Sequence, residues 1–361
     1  MLTIKSPRTA TRAVDVLIVG AGQAGLAAAR AVTERGVACV VHERHPRIGD
    51  SWRRRFDSLV LFTPRRISTL PGLDHEGDPR GYPGKDEMGD YLERYAKRFS
   101  LPVVAGNGVA RLTREQEHFR AELDDGSVIS SRAVVVAIGT FQRPRVPGFA
   151  SRLAPHVLQL DAASYRNPAQ IRGRRVLIVG DGATGRQIAL ELAPHYSVIL
   201  ATGRRRNFGF QRLFGTDTTE LALRTGLLTA DKASVAGRLV RALDLTPGLN
   251  LQLRALRRAG IEVMRRCVDA EGQRVTLADG SQRDVDAVIY AAGYVDDTTW
   301  VDIPGATEGG RLLEHRGISP VPGLYYVGRD WQTSRASGLV CGVAYDAEAI
   351  GARLSEGATF S

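Results

Sequence analysis

Two glycine-rich loops, each between an apolar run and a helical pattern, constrain the fold of this chain more than any other feature. The first apolar run, Val14–Gly20, leads into Ala21–Leu26 (AGQAGL) and a helical pattern that continues to Arg35. The second run, Arg175–Gly180, leads into Asp181–Gly185 (DGATG) and a similar helical pattern. Such apolar runs are typical of strands buried on both faces of a parallel sheet. The repeated succession of strand, glycine loop and helix predicts two nucleotide-binding units.

The two units also end in the same way. Phe119–Thr140 and Val275–Tyr294 each contain a strand, an Asp-Gly turn, a second strand and a buried apolar strand before a small-residue loop. Asp-Gly pairs between alternating strands predict hairpin turns. The predicted fold class is therefore α/β, with two Rossmann-like dinucleotide-binding domains.

The chain of 361 residues is long enough for both domains. We expect a discontinuous first domain, residues 1–150 and 295–361, and a second domain, residues 151–294, with a helical insertion at about 206–248. In the insertion, Phe208–Asp244 carries apolar residues at helical spacing. This segment is either a lid or wall of a substrate site, or a packed helical excursion, or a contact between two copies in a homodimer.

The first glycine loop has the pattern G-x-G-x-x-G, formed by Gly20, Gly22 and Gly25. The first glycine allows a tight turn, the second lets the backbone approach a pyrophosphate, and the third lets the helix pack closely. The amides at the helix start can then hold the phosphates. Glu43 ends the next apolar strand, about 20 residues on, where a carboxylate can accept the ribose hydroxyls. The alternative for Glu43 is a solvated charge at a strand end.

The second loop repeats the pattern, with Gly180, Gly182, Thr184 and Gly185. The strand that follows, Ser197–Ala201, ends in arginines and not in an acid, and we take Arg204 and Arg205 as candidates. Arginine at this place suits a 2′-phosphate, which a carboxylate would repel. The second unit is therefore predicted to bind NADPH, with a solvated basic loop as the alternative.

A third segment favours FAD in the first unit. Pro322–Asp330 is an apolar strand that ends in Gly-Arg-Asp and precedes a helical pattern at Gly338–Leu354. In flavoproteins with two such units, the chain returns to the first domain at a segment of this kind. Asp330 is the candidate for a bond to the ribityl chain, and the predicted cofactor pair is FAD with NADPH.

Composition narrows the remaining function classes. The net charge of +10 would suit nucleic acid or an acidic membrane, but the arginines are spread along the chain and no nucleic-acid-binding module is present. The three cysteines, Cys39, Cys267 and Cys341, form no C-x-x-C pair, which excludes a zinc ribbon and a C-x-x-C redox centre. The seven histidines form no metal-ligand spacing. Lacking a signal peptide and an apolar run of about 20 residues, the chain is expected in the cytoplasm.

Five further motifs resemble the flavin-containing monooxygenase family, in particular the plant YUCCA-type enzymes and their bacterial relatives. They are Ile48–Arg53 (IGDSWR), Leu61–Pro71 (LFTPRRISTLP), Tyr82–Pro102, Ala291–Tyr294 (AAGY) and Tyr326–Asp346. The resemblance covers nearly the whole chain from Asp15 to Leu354. It implies that the IGDSWR segment lies beside FAD, and we add Arg44 and Trp52 to the candidate FAD contacts.

Two positions depart from the family pattern. In Val157–Tyr165, Asp161 stands where the family has histidine. Classical members carry an asparagine near the flavin in a Thr-Asn pair, whereas this chain has Thr63-Pro64, as the YUCCA group does. Asp161 and Thr63 are therefore the candidate positions at which oxygen activation and NADP retention would differ.

The resemblance implies a monooxygenase in which NADPH reduces FAD and the reduced flavin meets oxygen to form a flavin hydroperoxide. That species would oxygenate a small organic substrate, which explains why no catalytic triad is found. One alternative is a flavoprotein reductase or oxidase that releases peroxide. An alternative of another class is a non-catalytic redox sensor that binds FAD and acts through a protein partner.

Overall fold

Two mainly parallel sheets form the frame of the molecule in the computed structural model, which describes residues 11–204, 206–213, 215–243, 245–246, 248 and 251–357. The first sheet has seven strands: Thr11–Val19, Cys39–Glu43, Val103–Ala105, Val109–Glu115, His118–Leu123, Val128–Val136 and Leu324–Tyr326. The second sheet has five parallel strands: Leu158–Asp161, Arg175–Val179, Ser197–Ala201, Glu262–Met264 and Ala287–Tyr290.

The strand Val128–Val136 organises the first sheet. One of its edges pairs in parallel with Thr11–Val19. The other edge is shared, since its first half pairs antiparallel with His118–Leu123 and its second half pairs in parallel with Leu324–Tyr326. The predicted second hairpin strand and buried strand of this unit are thus one continuous strand. The first sheet therefore contains strands from the early part of the chain, such as Thr11–Val19, and a strand from its late part, Leu324–Tyr326.

The order of the second sheet places Arg175–Val179 between Ser197–Ala201 and Ala287–Tyr290. The hairpin predicted before the last of these strands belongs to a separate antiparallel sheet. That sheet consists of Cys267–Glu271, Arg274–Leu277 and Gln282–Asp284. Four pairs of two-residue strands complete the strand set: Arg143–Pro144 with Tyr294–Val295, Asn207–Phe208 with Leu245–Thr246, Arg212–Leu213 with Thr216–Asp217, and Thr307–Glu308 with Arg311–Leu312.

Helices cover the sheets and form part of the insertion. The α-helices are Gln23–Thr33, Asp50–Arg53, Lys85–Arg98, Ala183–Leu192, Thr218–Arg224, Val235–Leu243, Leu253–Arg258 and Val343–Gly357. Short 3-10 turns lie at Arg65–Ile67, Gly148–Arg152 and Pro168–Gln170. The last helix begins five residues later than the pattern at Gly338 predicts, because residues 336–342 form turns bonded three residues back. Within the part of the chain described here, none of these helices has the length and apolar character needed to cross a bilayer.

The central strand of each sheet is buried on both faces, as predicted. Val16 and Ile18 pack in the core cluster that contains the helix Gln23–Thr33, whereas Leu17 and Val19 pack in the cluster on the other face. Val176 and Leu177 divide in the same way in the second sheet. Because both faces of each central strand are buried, the side chains packed on both faces are apolar, which produces the continuous apolar runs in the sequence. The predicted fold class is confirmed, and on this sheet membership we propose the division into residues 1–150 with 295–361, and 151–294.

Candidate functional site

One large cavity, of about 1800 Å³, lies at the carboxyl ends of the strands of both sheets. Gly20 and Gly22 of the first glycine loop line it, and so do Gly180 and Gly182 of the second. Ligands of open α/β sheets bind beyond the carboxyl ends of the strands. A pocket for one small ligand usually measures about 300–1,000 Å³, so this cavity is larger than a single such pocket.

The first glycine loop has the three steric features expected of its pattern. Gly20 has a φ of +97°, which favours glycine. A Cβ on Gly25 would lie 1.8 Å from the carbonyl oxygen of Gly20, so the third glycine is needed for helix packing. A Cβ on Gly22 would meet nothing within 4 Å, because Gly22 faces the open cavity. No side chain caps the helix that starts at Gln23, which leaves its amino end suited to an anion.

The second loop repeats this geometry closely. Gly180 has a φ of +107°, and a Cβ on Gly185 would lie 2.0 Å from the Gly180 carbonyl oxygen. Again a Cβ on the middle glycine, Gly182, would meet nothing within 4 Å. Thr184, in the first turn of the following helix, also lines the cavity. Both loops therefore leave open space beside the middle glycine, and both line the same cavity.

Glu43 is a buried carboxylate at the cavity wall, not a solvated strand-end charge. Its Oε2 accepts the amide N–H of Ala21 at 2.8 Å, and its Oε1 accepts the backbone and ring N–H groups of His45, each at 2.9 Å. Burial opposes the ionised form, but these hydrogen bonds outweigh it, so the pKa of Glu43 is lowered. The carboxylate is thus held charged, in a fixed orientation, beside the first glycine loop.

In the second unit, a buried ion pair lies between the glycine loop and the helix that follows it. Asp181 Oδ2 lies 2.9 Å from Arg186 Nη2, and Asp181 Oδ1 accepts the amide N–H of Gly203 at 3.1 Å. Arg186 also donates to the carbonyl of Leu251 and lies 3.9 Å from the centre of the Phe208 ring. The sequence reasoning missed this pair, although an Asp inside the loop and an Arg five residues later were visible signals.

Several arginine side chains line the cavity near the carboxyl ends of the second sheet's strands. Arg204 lines it, as predicted from the strand end, while Arg205 lies outside the described residues. Arg206 and Arg266 line it as well. Arg266 follows the strand Glu262–Met264, which pairs with Ser197–Ala201, so arginines leave two neighbouring strand ends. Arg266 was missed because it lies 62 positions from Arg204 and only the pairing brings the two strand ends together.

The remaining candidates for the first unit also line the cavity. Arg44 is held by Asp124 at 3.3 Å, and Trp52 Nε1 donates to Gln23 Oε1 at 3.2 Å. Asp330 lies 3.3 Å from Arg335 Nη1. Thr63 is buried, with its Oγ1 2.7 Å from Ser68 Oγ. The structure thus brings Arg44, Trp52, Asp330 and Thr63 to the cavity that contains both loops.

Asp161 has a different position. Its Oδ1 accepts the amide N–H groups of Ala163 and Ser164, at 2.9 and 2.8 Å, and the Ser164 hydroxyl at 2.9 Å. Its neighbours Ala162 and Ala163 line the cavity, but Asp161 does not. The carboxylate therefore closes the turn that follows its strand, which is a structural role that the sequence interpretation did not foresee.

A cluster of three side chains lies where the chain passes between the two sheets, and the sequence did not predict it. Arg143–Pro144 pairs antiparallel with Tyr294–Val295. Beside this pairing, Arg55 Nη1 donates to the Tyr294 hydroxyl at 2.9 Å, and its guanidinium lies 4.5 Å from the centre of the Phe141 ring. Phe141 meets Tyr294 edge to face at 5.1 Å. All three side chains line the cavity where the two units meet.

Arg206, at the start of the insertion, lines the cavity, but no described residue from 207 to 248 does, so the helices of the insertion do not wall it. The insertion binds instead to the first unit. Gln211 Nε2 donates to the Phe62 carbonyl at 2.9 Å, and the Tyr82 hydroxyl donates to Asp217 at 3.0 Å. Lys232 donates from its amide to the Thr333 carbonyl at 2.8 Å. Of the alternatives weighed from the sequence, a packed helical excursion fits this placement.

All three cysteines are free thiols. Burial raises the pKa of Cys39 and of Cys267 to about 11, and that of Cys341 to about 12. Thiols with such pKa values are almost wholly protonated at neutral pH and are poor nucleophiles. The site therefore offers no thiol chemistry of its own.

Comparisons with known proteins agree with this geometry. The sequence model of the family described as "Pyridine nucleotide-disulphide oxidoreductase" matches residues 17–212. An oxidoreductase named CzcO-like from Geobacillus kaustophilus is 39% identical over 93% of this chain and 96% of its own. The indole-3-pyruvate monooxygenase YUCCA1 of Oryza sativa is 29% identical over 89% of this chain and 88% of its own. A solved flavin-containing monooxygenase from Stenotrophomonas maltophilia is 26% identical, covers 96% of this chain and 100% of that one, and has a TM-score of 0.79.

Proposed function

The chain belongs to the pyridine nucleotide-disulphide oxidoreductase family, in its group of flavin-containing monooxygenases, and we propose that it is an FAD-dependent, NADPH-consuming enzyme that oxygenates a small organic molecule. The predicted family resemblance is confirmed, and with it an oxidoreductase that uses flavin and a pyridine nucleotide. The choice of NADPH, the contacts made by single residues, and the substrate are parts of the proposal.

One observation carries the proposal: two glycine loops of the same geometry open into one cavity. A single dinucleotide would need one glycine loop, whereas this chain has two. At the middle glycine of each loop, Gly22 and Gly182, nothing lies within 4 Å of the position that a Cβ would occupy, so a pyrophosphate can approach the backbone there. Because the two loops line the same cavity, two dinucleotides held at them would share that cavity. That arrangement suits electron transfer from one cofactor to the other.

The first unit fits FAD. Gly20, Gly22 and Gly25 shape the pyrophosphate cradle, and Glu43 supplies the fixed negative charge that accepts ribose hydroxyls. Arg44, Trp52 and Asp330 lie along the same wall. When bound, FAD supplies the redox chemistry and the reaction with oxygen, while the protein orients it and excludes water.

The second unit fits NADPH better than NADH. Gly180, Gly182, Thr184 and Gly185 form its cradle. At the strand end where a ribose-binding acid would be expected, the chain has Arg204, with Arg206 and Arg266 on the same cavity wall. Three guanidinium groups suit a 2′-phosphate, because Arg binds phosphate through charge-assisted hydrogen bonds.

The protein's own contribution where the two units meet comes from the pairing of Arg143–Pro144 with Tyr294–Val295 and the side chains beside it. Arg55, Phe141 and Tyr294 hold one another by a hydrogen bond, a cation–π contact and an edge-to-face contact. We assign them the role of positioning the two units and of lining the entry for a small substrate. Ketones, 2-oxo acids and soft sulfur or nitrogen nucleophiles are the substrate classes to screen.

The three protonated, unpaired thiols favour oxygenation over the disulfide reduction found elsewhere in the family. A redox-active disulfide needs two neighbouring cysteines, one of them a low-pKa thiolate. The three cysteines of this chain are free and their pKa values are raised, so oxygen is the electron acceptor that we assign to it.

The test is to purify the FAD-loaded protein, reduce it anaerobically with NADPH or NADH, and then admit isotopically labelled oxygen with a substrate panel. We expect NADPH to reduce the flavin at a lower concentration than NADH. We also expect one labelled oxygen atom in the product for each NADPH consumed. Release of hydrogen peroxide in equal amount to NADPH, with every substrate, would make the chain an oxidase. Failure of both nicotinamides to bleach the flavin would favour the sensor and overturn the NADPH assignment.

A further inference from the structure

The insertion exposes an unusual share of the apolar surface. Of the thirteen large apolar side chains that are exposed among the described residues, seven lie in this short segment: Phe210, Leu213, Leu221, Leu227, Val235, Leu239 and Leu243. Single exposed apolar residues are normal on a protein surface, but their concentration marks an interaction site. Because none of the seven lines the cavity, substrate contact does not explain them.

The helix Val235–Leu243 arranges three of these side chains in one stripe. Val235, Leu239 and Leu243 recur every four residues and are 76%, 56% and 43% exposed. The opposite edge of the helix packs against the turn that precedes it, because Gly237 is buried and a Cβ on it would lie 1.9 Å from the Asp231 carbonyl oxygen. At 3.6 residues per turn, Gly237 lies about 160° from Leu239. The apolar stripe therefore points away from the protein.

The charge beside this stripe is positive. Arg238 and Arg241 are exposed on the same helix, and Arg241 lies 5.7 Å from the centre of the Trp331 ring. We call Val235, Arg238, Leu239 and Leu243 the basic apolar face. Arg238 lies beside Val235 on the helix surface, whereas Arg241 lies about 160° from Leu239, on the edge that faces Trp331 of the first unit. Exposed apolar side chains flanked by arginine form the pattern of helices that lie in a membrane interface.

The acidic residues of the insertion's described part do not offset this charge. Asp217 and Glu220 are 2% and 1% exposed. Asp231 is engaged by Arg316 of the first unit. The outward electrostatic field of the segment is therefore set by its arginines, which fits an anionic partner.

The face is also held in place. Lys232 donates from its amide to Thr333 and from its Nζ to the Gln332 carbonyl at 2.6 Å, and the amide of Ala336 donates to the Leu228 carbonyl at 3.0 Å. These bonds attach the base of the helix to the first unit. The basic apolar face is thus presented by a fixed element.

We propose that the basic apolar face docks the protein reversibly on an anionic lipid bilayer. A second copy of the chain suits the face less well, because a two-fold contact would bring Arg238 of both copies into the same interface. An anionic bilayer meets both features, since its headgroups attract Arg238 and its acyl boundary accepts Leu239 and Leu243.

The experiment is co-sedimentation of the FAD-loaded full-length protein with vesicles of phosphatidylglycerol and phosphatidylcholine, against vesicles of phosphatidylcholine alone. We expect binding to the anionic vesicles, weakened by salt. The double variant Leu239→Gln, Leu243→Gln should lower the partition coefficient at least about tenfold, since two buried leucine side chains are lost. Arg238→Gln should lower it about fivefold, the value that corresponds to ~1 kcal/mol per surface arginine.

Val104→Gln is the matched control, because Val104 is also exposed but lies on the edge strand of the first sheet, outside the insertion. It should leave vesicle binding unchanged. All substituted side chains are exposed, so thermal midpoints should agree within a few degrees. Absence of binding to anionic vesicles would overturn the proposal. So would a concentration-dependent dimer, without vesicle binding, that the double leucine variant converts to monomer, since the face would then hold a second copy.

Discussion

Asp181, in the second glycine loop, and Arg186, in the helix that follows, form a buried ion pair with 2.9 Å between Oδ2 and Nη2. Both side chains are almost fully buried, at 5% and 1% exposed. The pair joins the loop to Gly203 on one side and to Leu251 on the other. The position of the proposed NADPH cradle thus depends on two charges that are largely shielded from solvent.

Loss of one partner should therefore be costly. Arg186→Met leaves Asp181 charged and buried, and we expect it to lower the free energy of unfolding by about 3–5 kcal/mol. Thermal unfolding of the purified variant measures this. The double variant Asp181→Asn, Arg186→Met removes both charges and should recover most of the loss. An Arg186→Met protein as stable as the wild type would contradict the structural role of the pair.

Two glycines of the first loop should have different roles, Gly22 in binding and Gly25 in folding. Gly22→Val adds a side chain in open space at an extended backbone, so the variant should fold with an unchanged thermal midpoint but purify without FAD. Gly25→Ala places a Cβ 1.8 Å from the Gly20 carbonyl oxygen and should reduce the stability of the apoprotein itself. Gly182→Val is the control, since it should keep FAD and lose NADPH. A yellow, fully loaded Gly22→Val protein would remove the FAD assignment.

Glu43 should make stability depend on pH in the acid range. Its folded-state pKa lies below that of an unfolded glutamate, so its stabilisation is full above about pH 4.3 and is lost as pH falls through the folded-state pKa. Thermal midpoints of the wild type and of Glu43→Gln, measured across the acid range, test this. The difference between them should be largest near neutrality and shrink in acid. A constant difference would mean that the charge of Glu43 does not matter.

Arg204 should select the phosphate of NADPH. Arg204→Ala removes one charge-assisted contact, which we expect to contribute about 1.5–3 kcal/mol. The KM for NADPH should rise roughly ten- to a hundredfold, whereas the KM for NADH should stay close to the wild-type value. The corresponding substitution of Arg266 tests the neighbouring strand end. An equal rise for both nicotinamides would contradict a 2′-phosphate contact.

The thiols should be dispensable. Burial raises the pKa of Cys341 to about 12, so alkylation at neutral pH should be slow in the native protein and fast after unfolding. Cys341→Ala should keep NADPH consumption within about twofold of the wild type, given its small change in volume. Loss of turnover in this variant, with FAD still bound, would point to thiol chemistry and against an oxygenase.

Local sequence patterns predicted the parts of the site that depend on neighbouring residues. A glycine loop works within six residues, so Gly20, Gly22 and Gly25 could be assigned from their spacing, and Gly180, Gly182 and Gly185 likewise. Glu43 could be placed because the strand that carries it follows the first helix directly. Asp161 shows the limit of such patterns, since its position in a family motif did not reveal that its carboxylate closes a turn.

The two strand–loop–helix units could be predicted from the chain alone, because apolar periodicity and glycine spacing act over a few residues. The shared cavity could not be predicted in this way, nor could the meeting of Arg55, Phe141 and Tyr294 in it, since up to 239 positions separate them. The outward direction of the apolar stripe on the insertion was equally hidden. Such contacts depend on how the sheets are connected and packed, which no short stretch of sequence specifies.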